Sequence, residues 1–215
     1  MNKIISVDDA VSKVKDGMTL MIGGFLTSGG PNTIMDALAL SGIKNLTIIC
    51  NDGAYPDKGM GKLIANRQVV KLITSYVGSN PVAIDLMNSQ DLEIEFCPQG
   101  TLIERIRAFG AGLGGVLTPT GLGTIVAENK RIINVDGKDF ILETPLRAHI
   151  AFIGASVSDK MGNLYYKGNT KNFNPIMAMA AETVIVETEE LVETGTIKPE
   201  DVHTPAILVD YILTK

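Results

Sequence analysis

A glycine-rich loop between a predicted strand and a predicted helix constrains this chain more than any other stretch. Residues 18–22 follow the turn Asp16-Gly17 and are predicted to form a short buried strand. Pro31 is predicted to open a helix because proline suits a first helical position. Glycines just before a helix let the backbone bend tightly and approach a ligand, with N–H groups and the positive helix end facing it. The spacing is neither G-x-G-x-x-G nor a P-loop. The loop alone therefore predicts either an anion or oxyanion site or a tight turn that binds nothing.

The rest of the chain repeats the same strand–loop–helix order. The apolar-plus-threonine run at 46–50 predicts a buried strand, and residues 70–77 are also predicted to form a strand. Helices are predicted from residue 31 to about 40 and near 62–66. This order predicts an α/β fold, a mostly parallel sheet flanked by helices. Ligands of such sheets bind outside the carboxyl ends of the strands. The loops at 23–30, 51–53, 78–81 and 98–100 each follow a predicted strand, so we expect them to gather at one edge.

The second half departs from that order. Residues 92–96 alternate as a strand, and Thr101 with Glu104 forms a capping-box pattern for a helix through about residue 108. The glycine-rich stretch 109–123 is predicted to be a folded-back loop. We expect this loop to serve packing or an oligomer contact rather than ligand binding. A β-hairpin insertion is predicted at 131–142 around Asp136-Gly137. Strands are predicted at 148–154 and 183–186, a helix from Pro175, and either a strand or a helix start at 207–209. No linker divides the chain, so residues 1–215 are predicted to form one domain.

Composition narrows the functional classes. The formal net charge is −5 and no Lys/Arg cluster stands out, which argues against a nucleic-acid partner. No apolar run approaches the length of a membrane span. Cys50 and Cys97 are isolated, and neither His149 nor His203 lies in a catalytic or metal-binding motif, so no metal site is expected. Reduced cysteines favour a cytoplasmic protein.

Several motifs together resemble the alpha subunit of family I 3-oxoacid coenzyme A-transferases, closest to the acetate/butyrate–acetoacetate type. The first is the Asp-Gly…Gly-Gly-Phe-x-x-x-Gly-x-Pro string at 16–31. The others, in family order, are Cys50-Asn51-Asp52-Gly53, Ser75-Tyr76-Val77-Gly78, Pro98-Gln99-Gly100-Thr101-Leu102, Ala111-Gly112-Leu113-Gly114, Thr118-Pro119-Thr120-Gly121 and Asn172-Phe173-Asn174-Pro175. The resemblance implies the coenzyme A-transferase and sugar-isomerase-like fold, acyl-CoA as substrate, and no tightly bound cofactor. It also implies a hetero-oligomer with a beta subunit, with two copies of each.

The resemblance also assigns roles to residues. It implies that coenzyme A contacts the glycine loop, namely Gly23, Gly24, Phe25, Leu26, Thr27, Ser28 and Gly29. It places Asn51 in the acyl pocket, although an asparagine in a turn commonly bonds its own backbone. From the residues themselves, Gln99 in its Pro-x-Gly loop is suited either to donate to an oxyanion or to cap the following helix. Of these two residues, we place Gln99 ahead of Asn51 as a candidate for a direct role in the site.

No nucleophile is predicted in this chain. The acidic run Glu187, Glu189, Glu190 and Glu193 is typical of a solvated face, and no glutamate stands out from the others. The family nucleophile is a glutamate in a Ser-Glu-Asn-Gly context, which this sequence lacks. The resemblance therefore implies that the catalytic glutamate lies on the beta subunit. Two alternatives remain at this point, a sugar-phosphate isomerase and a ligand-sensing domain of related fold.

Overall fold

The structure is a computed structural model that describes residues 3–215; Met1 and Asn2 lie outside the described residues. The helices of this range are α1 (Val7–Ser12), α2 (Asn32–Leu40), α3 (Gly61–Ala65), α4 (Pro81–Asn88), α5 (Gln99–Gly110) and α6 (Asn174–Met177). The strands are β1 (Thr19–Ile22), β2 (Leu46–Cys50), β3 (Val69–Thr74), β4 (Glu93–Phe96), β5 (Val116–Thr118), β6 (Ile132–Val135), β7 (Lys138–Glu143), β8 (Ala148–Asp159), β9 (Leu164–Tyr165), β10 (Ala181–Val192) and β11 (Tyr211–Thr214).

The main sheet confirms the predicted α/β architecture. Its strand order is β11-β10-β8-β1-β2-β3-β4, and every neighbouring pair along this path is parallel. The short strand β9 pairs antiparallel with β8 off this path. Parallel strands need crossover connections, and helices on both faces of the sheet supply them.

Alternating side chains of the strands pack into two apolar cores, one on each face of the sheet. Leu20 and Ile22 of β1 face the core that α1 to α4 cover, whereas Met21 faces the core that α5 and α6 cover. The neighbouring strands split in the same way, with Ile48 on the first side and Ile49 on the second. The two-residue period of a strand explains this, because successive side chains point to opposite faces.

The predicted hairpin exists and belongs to a second, antiparallel sheet. Strands β6 and β7 pair around Asp136 and Gly137, whose φ angles of 50° and 77° are those of a tight hairpin turn. The prediction for 109–123 was wrong in part, because α5 continues to Gly110 and β5 pairs antiparallel with β7. The glycines around β5 hid this short strand from a sequence pattern.

The predicted start of α5 was also wrong. The helix begins at Gln99, with Pro98 at the N-cap position and no capping hydrogen bond from a side chain. Glu104 instead pairs with Arg107, at 3.0 Å from Nε. Gln99 therefore does not cap this helix, which removes the structural alternative for its side chain.

Strand lengths in the second half exceed the prediction. β8 and β10 run side by side for 12 residues each, well past 154 and 186. At the C-terminus, Ala206–Leu208 is a 3₁₀ helix, and the strand that follows it, β11, was not predicted.

No helix in residues 3–215 combines the length and apolar character that crossing a bilayer requires.

A buried ion network joins the two sheets. Arg105 of α5 is 5% exposed and donates to Glu95 of β4 at 2.8 Å and to the Thr144 carbonyl at 2.8 Å. Its Nε lies 3.7 Å from Glu143 of β7, which also pairs with Lys130 at 2.7 Å. Burial opposes ionisation of Glu95, but the hydrogen bonds and charges of Arg105 and Lys71 together outweigh it and hold the Glu95 pKa below its ordinary value.

Arg105→Met is expected to lower the free energy of unfolding by about 3–5 kcal/mol, because it leaves the Glu143 carboxylate buried with fewer partners. Arg107→Met is the matched control on the same helix, since its exposed pair with Glu104 contributes about 0–1 kcal/mol. Denaturant unfolding of both variants measures the difference. Equal losses from the two variants would contradict a structural role for this network.

Candidate functional site

The loops that follow four parallel strands meet in one cleft, as their positions after the strands predict. The cleft has a volume of about 540 Å³. It is lined by Phe25, Leu26, Asn51, Asp52, Tyr55, Ser75, Tyr76, Ser79 and Gln99. These residues come from the segments after β1, β2 and β3 and from the first residue of α5, which follows β4. The carboxyl edge of the sheet therefore carries the candidate site.

The glycine loop after β1 folds as a miniature hairpin. Phe25 and Ser28 exchange both backbone hydrogen bonds, at 3.0 and 2.9 Å. Leu26 between them has a φ of 54°, which is rare for a residue with a side chain. Gly24 has a φ of 122°, and a Cβ there would lie 3.1 Å from the Gly30 Cα. Gly24 is thus required by the shape of the loop itself.

Two asparagines of the Asn172-Phe173-Asn174-Pro175 motif fasten this loop from behind. The Asn172 Oδ1 accepts from the Gly24 N–H at 3.1 Å, and the Asn174 Nδ2 donates to the Gly29 carbonyl at 2.9 Å. A Cβ on Gly23 would overlap the Asn174 side chain, so only glycine lets that amide approach. The loop is therefore held by side chains almost 150 residues away in sequence.

A buried carboxylate occupies the N-terminus of α2. Glu187 of β10 is 1% exposed and accepts from the Thr33 N–H at 3.1 Å, the Thr33 hydroxyl at 2.9 Å and the Ile34 N–H at 3.0 Å. The prediction that no glutamate of the acidic run stands out was therefore wrong. The favourable anion position at the helix N-terminus is filled from within the chain.

Only part of the glycine loop is left to bind a ligand through its backbone. The N–H groups of Gly23, Phe25 and Ser28 donate to backbone carbonyls, and those of Gly24 and Leu26 donate to side chains. Within residues 3–215, the N–H groups of Thr27, Gly29 and Gly30 in this loop have no hydrogen-bond partner. Any backbone contact with an anionic ligand would fall on these groups.

Asp52 connects the glycine loop to the loop after β2. Its carboxylate is 5% exposed and accepts from the Leu26 N–H at 2.8 Å and the Ala54 N–H at 2.9 Å. It also accepts from the Asn51 side chain at 2.8 Å. With these bonds made, Asp52 lies in the wall of the cleft and is not an accessible nucleophile.

The two predicted pocket residues are in direct contact. Gln99 Nε2 donates to Asn51 Oδ1 at 2.7 Å, although 48 positions separate them. Asn51 is 3% exposed, whereas Gln99 is exposed at the cleft surface. The structure thus brings together residues that the sequence indicated separately, and Gln99 is the one that a ligand can reach.

Aromatic rings form the rim of the cleft. Phe25, Tyr55 and Tyr76 are all partly exposed, and each belongs to a different loop. Gly78 makes room for one of them, because a Cβ there would overlap the Tyr76 hydroxyl group. The rim is therefore apolar, with phenol hydroxyls as its polar groups.

The Cys50 thiol beside the cleft is not activated as a nucleophile. Burial raises the pKa of the Cys50 thiol well above its ordinary range, and the charge of the neighbouring Asp52 raises it further. Residues 3–215 contain no group of three or more His, Cys, Asp or Glu side chains placed to hold a metal ion. The cleft offers side-chain amide and hydroxyl groups as hydrogen-bond donors.

Several site residues were missed by the sequence reasoning. Asp52, Tyr55, Ser75, Tyr76 and Ser79 line the cleft but were not among the candidates. The signal for Asp52 was its place in a polar turn directly after a buried strand. Tyr76 lies inside the Ser75-Tyr76-Val77-Gly78 motif, to which the sequence assigned no role. Neither pattern distinguishes a cleft residue from an ordinary turn residue.

Glu187→Gln is expected to lower the free energy of unfolding by about 1–3 kcal/mol, because an amide has one acceptor oxygen where the carboxylate uses two. The matched control is Glu190→Gln, which changes an exposed glutamate of the same strand. Thermal and denaturant unfolding of both variants measures the effect. Indistinguishable stabilities would show that the carboxylate at the α2 N-terminus contributes nothing.

Sequence comparisons identify relatives of this chain over nearly its whole length. A family model described as coenzyme A transferase matches residues 4–215. The acetoacetyl-CoA:acetate/butyrate CoA transferase alpha subunit of Clostridium acetobutylicum is 54% identical over 212 residues, covering 99% of this chain and 97% of that protein. The acetate CoA-transferase subunit alpha of Escherichia coli is 47% identical over 211 residues, covering 98% and 96%.

Solved structures share the fold. An acyl-CoA transferase of Escherichia coli, in a thioester complex with CoA, matches 100% of this chain with a TM-score of 0.89 and 23% identity. This chain spans 47% of that protein's length. Glutaconate coenzyme A-transferase of Acidaminococcus fermentans matches 99% of this chain and 75% of its own, with a TM-score of 0.86 and 21% identity. The matches do not favour a sugar-phosphate isomerase or a ligand-sensing domain. This chain belongs to the coenzyme A transferase family.

Proposed function

We propose that residues 1–215 form a single-domain alpha subunit of a CoA-transferase. The enzyme moves coenzyme A between a short-chain acyl-CoA, acetyl- or butyryl-CoA, and a free carboxylic acid such as acetoacetate. The observation that carries this proposal is the 54% identity, over 99% of the chain, to the alpha subunit of an acetoacetyl-CoA:acetate/butyrate CoA transferase. In this proposal coenzyme A is a substrate, and no tightly bound cofactor takes part.

The nucleophile belongs to a beta subunit, in an assembly of two alpha and two beta chains. A glutamate carboxylate of that subunit attacks the thioester carbonyl, expels the CoA thiolate and becomes a mixed acyl anhydride. The thiolate then attacks the glutamyl carbonyl, which releases the first acid as its carboxylate and leaves a glutamyl-CoA thioester. The second acid reverses both steps. The cleft of this chain supports such a division, because its carboxylate, Asp52, is buried and fully hydrogen-bonded.

This chain's own residues bind and orient the acyl group. Ser75 and Ser79 already donate their hydroxyl hydrogens to backbone carbonyls, at 2.7 and 2.8 Å. Among the described residues that line the cleft, the donors left for an acyl oxygen are the second Nε2–H of Gln99 and the hydroxyl groups of Tyr55 and Tyr76. A donor placed at a developing oxyanion stabilises the transition state more than the bound substrate. The unpaired N–H groups of Thr27 and Gly29 likewise support coenzyme A contact within residues 23–29.

The first test of this function is reconstitution. The full chain alone is expected to show no CoA transfer between acetyl-CoA and acetoacetate, and addition of its beta subunit is expected to establish transfer. Borohydride, which reduces a thioester, is expected to modify a glutamate of the beta subunit after incubation with acetyl-CoA. Mass spectrometry of the separated chains locates the modification. Transfer by the isolated chain, or a reduced glutamate within it, would overturn the assignment.

The second test concerns Gln99. Gln99→Ala is expected to lower kcat roughly 10²-fold while changing KM little, because the lost donor acts in the transition state. Asn88→Ala, at the exposed end of α4, is the control and is expected to retain wild-type kinetics. A raised KM with unchanged kcat would instead make Gln99 a ground-state binding residue.

A further inference from the structure

One buried carboxylate organises the wall of the cleft. Asp52 accepts hydrogen bonds from the backbone N–H groups of Leu26 and Ala54, whose φ angles are 54° and 51°. A left-handed backbone at a residue with a side chain costs about 1–3 kcal/mol unless the surroundings hold it. Hydrogen bonds to an ionised acceptor are among the stronger ones in proteins. Asp52 therefore holds the two loops in these conformations.

The same carboxylate determines the orientation of two side-chain amides, those of Asn51 and Gln99. An ionised carboxylate only accepts hydrogen bonds, so Asn51 must turn its Nδ2 toward Asp52, at 2.8 Å. The Asn51 Oδ1 then faces Gln99 as an acceptor, so Gln99 must donate from its Nε2, at 2.7 Å. Within residues 3–215, the Oε1 of Gln99 has no hydrogen-bond partner. The Ser75 hydroxyl group also lies 3.4 Å from the Asn51 Oδ1, but it donates its hydrogen to the Asn51 carbonyl at 2.7 Å. The shorter contact from Asp52 therefore directs the Asn51 amide.

We propose that Asp52 is a positioning residue that acts through Asn51 to fix the orientation of the Gln99 amide in the cleft. The fixed amide keeps one Nε2–H available to an acyl oxygen, and Asp52 itself touches no substrate. This inference rests on the proposed function for its kinetic consequence, whereas the orientation of the amide is a property of the chain alone.

Asp52→Asn removes the directing element with little change in size. The new amide has one oxygen, so it cannot accept from Leu26, Asn51 and Ala54 together. It can also donate to the Asn51 Oδ1, which lets the Asn51 amide turn over and face Gln99 with its Nδ2. The Gln99 Nε2 then loses its acceptor, and the amide is no longer held in one orientation.

A double-mutant cycle in the enzyme reconstituted with its beta subunit tests the kinetic claim. Asp52→Asn and Gln99→Ala are each expected to lower kcat roughly tenfold or more, and the double variant to lie within about twofold of the slower single variant. A purely structural role for Asp52 would lower kcat by the same factor whether or not Gln99 is present. Multiplicative losses would therefore overturn the proposal.

The chain offers a matched control in Asp159. This carboxylate is also buried and accepts from the backbone N–H groups of Met161, Gly162 and Asn163 and from the Asn163 side chain, at 2.9 to 3.0 Å. Those bonds lie within a turn that contributes no residue to the cleft. Asp159→Asn is expected to lower stability but to keep kcat within about twofold, with or without Gln99→Ala. A kcat loss like that of Asp52→Asn would show that any such carboxylate has this effect.

A second measurement needs neither the beta subunit nor activity. In the ¹⁵N-labelled full chain, the side-chain NH₂ signals of Gln99 are those absent from Gln99→Ala. Their two proton shifts are expected to differ in the wild type, with one proton hydrogen-bonded, and to approach free-glutamine values in Asp52→Asn. Unchanged signals would overturn the proposal even if the reconstituted enzyme proves inactive.

If Asp52→Asn unfolds at the assay temperature, Ala54→Gly is added to every arm, because glycine tolerates a φ of 51°.

Discussion

The candidate site depends on backbone N–H groups that have no partner within their own element, just after the ends of parallel strands and in the first turn of α2. Four side chains from inside the protein form hydrogen bonds with the backbone here. Asp52, Asn172 and Glu187 accept from backbone N–H groups, and Asn174 donates to the Gly29 carbonyl. An unpaired buried N–H costs about 1–3 kcal/mol, so these contacts decide whether the loops can pack against one another at all. The glycines matter for the same reason, because Gly23 and Gly24 allow approaches that a Cβ would prevent.

This internal use of donors limits what the chain can offer to a ligand. The anion position at the α2 N-terminus is taken by Glu187, and most N–H groups of the glycine loop are already bound. What remains is an amide of Gln99, phenol hydroxyls and a few backbone N–H groups around an apolar rim. Such a surface suits the orientation of a neutral thioester or a developing oxyanion better than nucleophilic attack.

Much of the fold followed from the sequence because its signals are local. Buried parallel strands such as β2 read as uninterrupted apolar runs, and the Asp136-Gly137 turn predicts its hairpin directly. The failures were also local in origin. β5 has only three residues and lies among glycines, whereas β11 follows the apolar run at 207–209 to which the sequence assigned the last element. The capping-box pattern at Thr101 was misleading because α5 begins two residues earlier, at Gln99, directly after Pro98.

The sequence by itself determined the glycine loop, the edge of the sheet where the site lies, and the candidates Asn51 and Gln99. Only the tertiary structure decided how those residues act. In the folded chain Gln99 donates a hydrogen bond to Asn51, and Asn51 donates one to Asp52. The N-terminus of α2 binds Glu187, which lies 154 positions from Thr33. Hydrogen bonds between distant side chains leave no periodic trace in a sequence, because a buried glutamate and a solvated one look the same until the strands that carry them are paired.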